Sequence, residues 1–313
     1  MQCEHLAMSS KTTVPHSSRS GHEALRERDG LWLMVAGGVL LGTIGIFVEE
    51  VHQHPLLTTW FRCAFGALAL LVWNAARGNL REFGLHGKNL GLAVATGCLM
   101  VLNWAMFFAA IPRTSIAVAT VVFHIQPIWV LLFGALFLRE PVSRRQWMAT
   151  PLALLGLTLT TGLLGETSGL HAQSPDYFTG LALCIGGSLS YAAVTLLAKS
   201  SQSVAPVTLS FWQCAVGTLM LAWVPWAFGL PRELLSWAWL AGLGVIHTGF
   251  AYVVLFAGMA RLTLGKIAVL QYVYPLSAVL FDWLIYGTVL SAPQFMGVLL
   301  MGGAVWIVRN PNA

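Results

Sequence analysis

The chain has 313 residues, of which 57% are hydrophobic and only 9% charged, with a mean hydropathy of +0.73. A soluble domain carries about 25% charged residues, so this composition excludes one and marks an integral membrane protein. The formal net charge is +5, but its Lys and Arg cluster in short loops, where they set membrane topology and require no nucleic-acid partner.

Residues 1–30 are polar, rich in Ser, Thr, His and Arg, and lack the apolar core of a cleavable signal peptide, so a mobile cytoplasmic tail is expected there. A helix needs about 20 mostly apolar residues to cross the hydrocarbon core. Ten segments qualify, at 31–48, 57–74, 89–110, 114–138, 147–164, 178–198, 207–228, 236–258, 264–286 and 293–308. Lipid admits only helices or closed barrels, and these runs are too long for barrel strands. The fold class read from the sequence is therefore an all-α integral membrane protein with ten transmembrane helices. They fall into a first half at 31–164 and a second at 178–308, with an outer linker at 165–177 and a cytoplasmic C-terminus at 309–313. No soluble catalytic domain fits in what is left.

With the N-terminus inside, fourteen of the seventeen Lys and Arg fall on the cytoplasmic side, leaving Arg113 and Arg232 in outer loops and Arg62 within the second helix. Both termini are expected in the cytoplasm, in a bacterial-type inner membrane. Five cysteines at 3, 63, 98, 184 and 214 have no metal-ligand spacing. They read as small packing residues, and no metal or cofactor is expected.

The chain is written twice. PLLTTWFRCAFGALAL from Pro55 aligns without gaps on PVTLSFWQCAVGTLML from Pro206, with six identities in sixteen, where chance gives about one or two. Further on the offset is 148, pairing Arg113 with Arg261, Pro127 with Pro275, Ser143 with Ser291 and Gln146 with Gln294. Five helices per repeat is an odd number, so the two repeats are inverted in the membrane, the arrangement that lets secondary transporters expose a midplane site alternately to each side.

The repeat ends, VVFHIQPIWVLLFGALFLREPVSRRQWMATPLALLGL and LQYVYPLSAVLFDWLIYGTVLSAPQFMGVLLMGGAVWIV, carry a closer likeness. Each has a proline-bearing helix, a marked turn and a glycine-rich last helix. Over residues 31–308 the chain resembles the drug/metabolite transporter superfamily, EamA type. That resemblance implies a carrier of amino acids, nucleobase-like compounds or other metabolites, mostly outward, with a homodimer face on the fifth and tenth helices. The second repeat departs from the pattern in having Tyr286 and Gly287 where the first has Leu138 and Arg139, with no acidic residue at the turn.

Polar residues in lipid need a reason. Pro127 and Pro275 remove a backbone donor and clash one turn back, so both helices should kink near mid-membrane and leave carbonyls at Phe123 and Gln271 without partners. Asn103, Trp104, His124, Gln126, His247, Tyr252, Gln271, Tyr272 and Tyr274 lie at similar depth on the third, fourth, eighth and ninth helices. They are the expected wall of a substrate cavity, with aromatic faces for the apolar part of a small molecule and polar groups to orient it. Imidazole titrates near neutral pH, which makes His124 and His247 candidate carriers of a coupling proton. Asp282 is a third candidate.

Arg62 has two readings. Asp282 lies at comparable depth, and Glu49 and Glu50 end the first helix, so Arg62 can belong to an outer gate as one half of a charge pair; alternatively it binds a substrate carboxylate. Lys266, near the cytoplasmic end of the ninth helix, reads as a snorkelling side chain or a substrate contact.

These features point to a secondary transporter of small organic metabolites, above all an exporter of amino acids or related compounds, in contact with membrane lipid. A lipid-carrier translocator or a non-transporting accessory subunit is the alternative. An intramembrane enzyme would need a nucleophile with its base or a metal motif, and no HExxH, GxSxG or Walker A pattern occurs.

Overall fold

The computed structural model describes residues 16–161, 163, 175–200, 203–287 and 289–309. Among these every regular element is helical. Ten long helices follow one another: α1 Ala24–Val51, α2 Pro55–Ala76, α3 Gly87–Arg113, α4 Ile116–Phe137, α5 Arg144–Thr160, α6 Asp176–Ser200, α7 Pro206–Met220, α8 Leu234–Met259, α9 Leu264–Tyr286 and α10 Ala292–Arg309. Eight are long and apolar enough to span a membrane by themselves. The other two, α5 and α7, have 17 and 15 residues and sit in the bundle at the equivalent of expected spans.

The residues shared by the two halves are largely helix signals. Pro55 and Pro206 open α2 and α7, where a missing amide costs nothing. Ser143 and Gln146 close a capping box at the start of α5, and the Gln294 side chain accepts from the Ser291 amide at 2.9 Å at the start of α10. At the other end, Arg113 and Arg261 donate back to Ala109 O at 2.6 Å and Ala257 O at 2.5 Å, supplying donors to carbonyls that the ends of α3 and α8 leave unpaired.

Packing repeats as the sequence does. α5 packs on α10, α2 on α7 and α4 on α9, each helix against its own counterpart. The remaining large contacts come in matched pairs: α3 on α6 with α8 on α1, α2 on α8 with α7 on α3, and α1 on α9 with α6 on α4. Advancing every helix by five returns the same list, so the two repeats interlock about a pseudo-two-fold axis. At the α5–α10 seam the backbones nearly touch, since a Cβ on Gly156 would lie 2.7 Å from Gly297 O. Only glycine permits that approach.

Four details differ from the expectations. Residues 16–30, read as a tail from their polarity, are helical, with Arg26 donating to Ala260 O and Glu27 ion-paired with Lys266; Lys266 thus has a carboxylate partner. The seventh helix ends at Met220 rather than 228, turns, and resumes as a short helix at Val224–Phe228 that contains Pro225. α8 contains a π-helical segment at Leu243–Phe250. Both proline helices break as expected, at His124–Ile125 and Gln271–Tyr272, but the carbonyl found to be captured is that of His124, by the Tyr272 hydroxyl. The expected linker at 165–177 and the C-terminus at 309–313 lie mostly outside the described residues.

Candidate functional site

A cavity of about 490 Å³ lies between the repeats. Its lining rises from Leu255, Met259 and Leu270 to Gln53 and Pro55 in the α1–α2 turn and Ile116 at the start of α4, and so reaches one face of the bundle. The opposite face is sealed by polar contacts around the α8–α9 turn. Lys266 pairs with Glu27, Lys199 Nζ donates to Leu262 O at 2.5 Å, and Glu140 Oε2 accepts from Leu264 N at 2.8 Å.

That last contact is a cap from outside the helix. The first-turn amides of any helix lack intrahelical partners, and a carboxylate there is favoured by about 0.3–1 kcal/mol. Glu140, in the α4–α5 turn, thereby pins the start of α9 to the first repeat. At the equivalent start of α4 the cap among the described residues is its own Ser115, whose Oγ accepts from Val118 N at 3.1 Å, and Ile116 beside it is 69% exposed at the cavity mouth. Glu140 thus acts with the Lys266 and Lys199 contacts as a latch of the sealed face.

Of the nine residues expected on the wall, Asn103, Trp104, His124, Gln126, Tyr252, Gln271 and Tyr274 line the cavity. The helix breaks explain their aim, because each break ends one helical segment just before its proline and turns neighbouring side chains inward. His124 Nδ1 donates to Thr120 O at 2.7 Å, and its ring stacks 6.0 Å from that of Tyr274. Gln126 and Gln271 both donate to Thr195 Oγ1 on α6, at 3.3 and 3.2 Å, so one hydroxyl ties the two breaks together. Asn103 Nδ2 donates to Gly187 O at 3.0 Å, joining α3 to α6.

His247 and Tyr272 are not on the wall. Both are fully buried: His247 Nε2 hydrogen-bonds Thr43 Oγ1 at 2.8 Å, with Phe47 edge-on to the ring and Nδ1 without a hydrogen-bond partner among the described residues, and the Tyr272 hydroxyl donates to His124 O at 2.8 Å. Sequence depth places a residue along a helix but not around it, and these two face neighbouring helices.

Arg62 is buried, only 6% exposed, and lines the cavity. Its Nε donates to Thr248 Oγ1 at 3.1 Å, and its guanidinium lies 5.3 Å from the centre of the Trp104 ring. The π-helical segment makes this possible: Thr248 bonds Leu243 O five residues back, at 3.0 Å, which turns its oxygen toward α2. Glycines let the two helices meet, as a Cβ on Gly244 would stand 2.3 Å from Phe65 Cβ. The expected ion pair from Arg62 to Asp282, Glu49 or Glu50 is not formed. Those carboxylates are exposed.

Several lining residues carried no sequence signal. Tyr191, Phe107 and Phe108 complete the aromatic wall, and Thr195 joins its two glutamines. A single tyrosine or threonine in an apolar helix is common, and the pairing exists only after α6 packs between α3 and α4.

Comparison with known proteins places the architecture. The model of the EamA-like transporter family matches residues 28–162 and again 178–310, one match per repeat. The chain is 30% identical over 281 residues to an uncharacterized transporter of Archaeoglobus fulgidus, covering 89% of this chain and 96% of that one. It is 28% identical to the uncharacterized transporter YxxF of Bacillus subtilis, covering 88% and 89%, and 24% identical to the pseudopaline exporter CntI of Pseudomonas aeruginosa, covering 88% and 93%. A solved crystal structure at 17% identity superposes with a TM-score of 0.77 over 89% of this chain and 96% of the other, a likeness of fold alone.

Proposed function

This chain belongs to the EamA-like transporter family, and from that premise we propose that it is a secondary transporter exporting amino acids or related small metabolites by alternating access at the cavity between its repeats. The observation that carries the reading is the asymmetry of that cavity, open at the α1–α2 turn and latched at the α8–α9 turn within a bundle whose halves are interchangeable. A pseudo-symmetric molecule in an asymmetric conformation has a second, mirrored one available to it.

The mouth faces outward in this account, because the turns on its side carry only Arg113 and Arg232 while the sealed side carries Arg77, Arg81, Arg144 and Arg145 among others. The protein then sits in a bacterial inner membrane with both termini cytoplasmic. The aromatic wall of Trp104, Tyr191, Tyr252 and Tyr274 suits an apolar side chain, and the glutamines and Asn103 suit the polar end of an amino-acid-like molecule. His124, on the wall, is the candidate for a coupling proton; a homodimer through α5 and α10 rests on the family resemblance.

Reconstitution tests the reading. Purified protein in liposomes should give saturable flux of one class of labelled amino acids, His124→Ala should reduce it, and an imposed pH gradient should alter its rate if a proton is coupled. Absence of flux for every amino acid, nucleobase and related metabolite would remove the reading in favour of lipid-carrier translocation or an accessory role.

A further inference from the structure

We infer that Arg62 anchors an anionic group of the cargo, so that the cavity takes small organic acids or zwitterions with a free carboxylate and discriminates against their neutral amides and amines. This deepens the transport reading and rests on it.

Arg62 is a cation without a counter-ion. It is more than nine-tenths buried, it lines the cavity, and no carboxylate among the described residues lies within ion-pair distance of it. An unpaired charge inside the membrane is costly, and one hydrogen bond to Thr248 with one aromatic face offsets only part of that cost. The site is built to keep the charge there nonetheless. The π-helical segment aims Thr248 at Nε, Trp104 covers the guanidinium, and the Gly66–Gly244 contact brings α2 and α8 close enough for both.

These contacts use Nε and one ring-facing side and leave the Nη edge without a partner among the described residues. That edge presents paired N–H groups in the planar fork that matches the two oxygens of a carboxylate. Aromatic rings of Trp104, Tyr252 and Tyr274 stand along the same wall for the apolar remainder of the molecule.

The second repeat reinforces the assignment. Gln213 is the counterpart of Arg62 by the alignment of Pro55 with Pro206. It lies behind Trp104 and Tyr252 at a separate void of about 10 Å³, with its Nε2 unpaired beside Ser210. Of the two counterparts only Arg62, which lines the cavity, carries a charge, which gives a bound acid one orientation.

The test compares matched compounds on the full-length protein in detergent by binding and thermal shift: L-phenylalanine and 3-phenylpropionate against phenylalaninamide and phenethylamine. Both acids should bind at least about tenfold more tightly than the amide and the amine, as loss of a charge-assisted hydrogen bond requires. Arg62→Gln, eluting as a folded protein, should abolish the difference, and Arg62→Lys should keep part of it. If Arg62→Gln does not fold, the wild-type comparison decides alone. Equal binding of all four, no binding of either acid, or an acid preference that survives Arg62→Gln overturns the assignment. Liposome flux separates the two claims: flux without acid preference sinks the Arg62 assignment and leaves transport standing, whereas acid preference without any flux does the reverse.

Discussion

The Tyr272 hydroxyl donates a 2.8 Å hydrogen bond to the carbonyl of His124, the residue 148 positions earlier that holds the same place in the other repeat. The two helix breaks are thus tied directly to each other across the pseudo-two-fold axis. Pro127 forces the break that frees the His124 carbonyl, and its counterpart break in α9 delivers the hydroxyl that satisfies it. Tyr272→Phe should therefore lower stability by about 1 kcal/mol, within the range measured for single hydrogen bonds in membrane bundles. His124→Ala keeps the carbonyl and should leave the melting temperature nearly unchanged while reducing flux. Thermal unfolding of both variants followed by size-exclusion chromatography checks the contrast.

Close approach of α2 and α8 positions Arg62, and glycine permits it. A Cβ on Gly244 would stand 2.3 Å from Phe65 Cβ and 3.0 Å from Gly66 N, neither of which is the free end of a flexible side chain. Gly244→Ala should cost about 1–3 kcal/mol, as overpacking does, and should weaken transport by shifting Thr248 away from Arg62. Gly91→Ala, where nothing lies within 4 Å, should be neutral or slightly stabilising. Equal effects of the two would show that the contact does not matter.

Arg139 and Gly287 occupy the same turn in the two repeats, and both have positive φ, 53° and 66°. Glycine adopts that conformation freely, whereas a residue with a Cβ is strained there by about 1 kcal/mol or more. Arg139→Gly should raise the melting temperature by a few degrees, provided the unfolded-state entropy of the new glycine does not cancel the gain. A lower melting temperature would mean that the Arg139 side chain contributes more than the strain costs.

The parts of this molecule legible in the sequence are those set by local rules. Apolar length gives the spans, and Pro127 and Pro275 give the breaks. Ser143, Gln146, Ser291 and Gln294 give matching helix starts, because capping and proline geometry act within one turn of chain. What was not legible depends on azimuth and packing. Asp282 stands at the depth of Arg62 but on an exposed face of α9, so a pairing argued from depth fails. His247 is buried against Thr43 and Phe47 rather than turned to the cavity. LGVIHTGF reads as ordinary helix, and its π-helical winding accompanies a close approach of Gly244 and Gly249 to Gly66 on another helix. Polar residues 16–30 read as tail because their partners, Ala260 and Lys266, lie more than two hundred residues away.

Glu140 latches the sealed face by capping Leu264, and Thr288, its counterpart by the same offset, carries no charge to do likewise at the mouth. Glu140→Ala should loosen the seal and shift the population modestly toward the conformation open on that side, since a part-buried carboxylate at a helix N-terminus is worth about 0.3–1 kcal/mol.

The most direct measurement is two-sided labelling of a cavity cysteine. Phe123→Cys, in a background with the native cysteines replaced, puts a thiol on the cavity wall at the depth of the helix break. A membrane-impermeant reagent should reach it from both sides of the membrane, faster from the mouth side, and Glu140→Ala should raise the rate from the sealed side. Labelling from one side only, unchanged by Glu140→Ala, would contradict alternating access at this cavity.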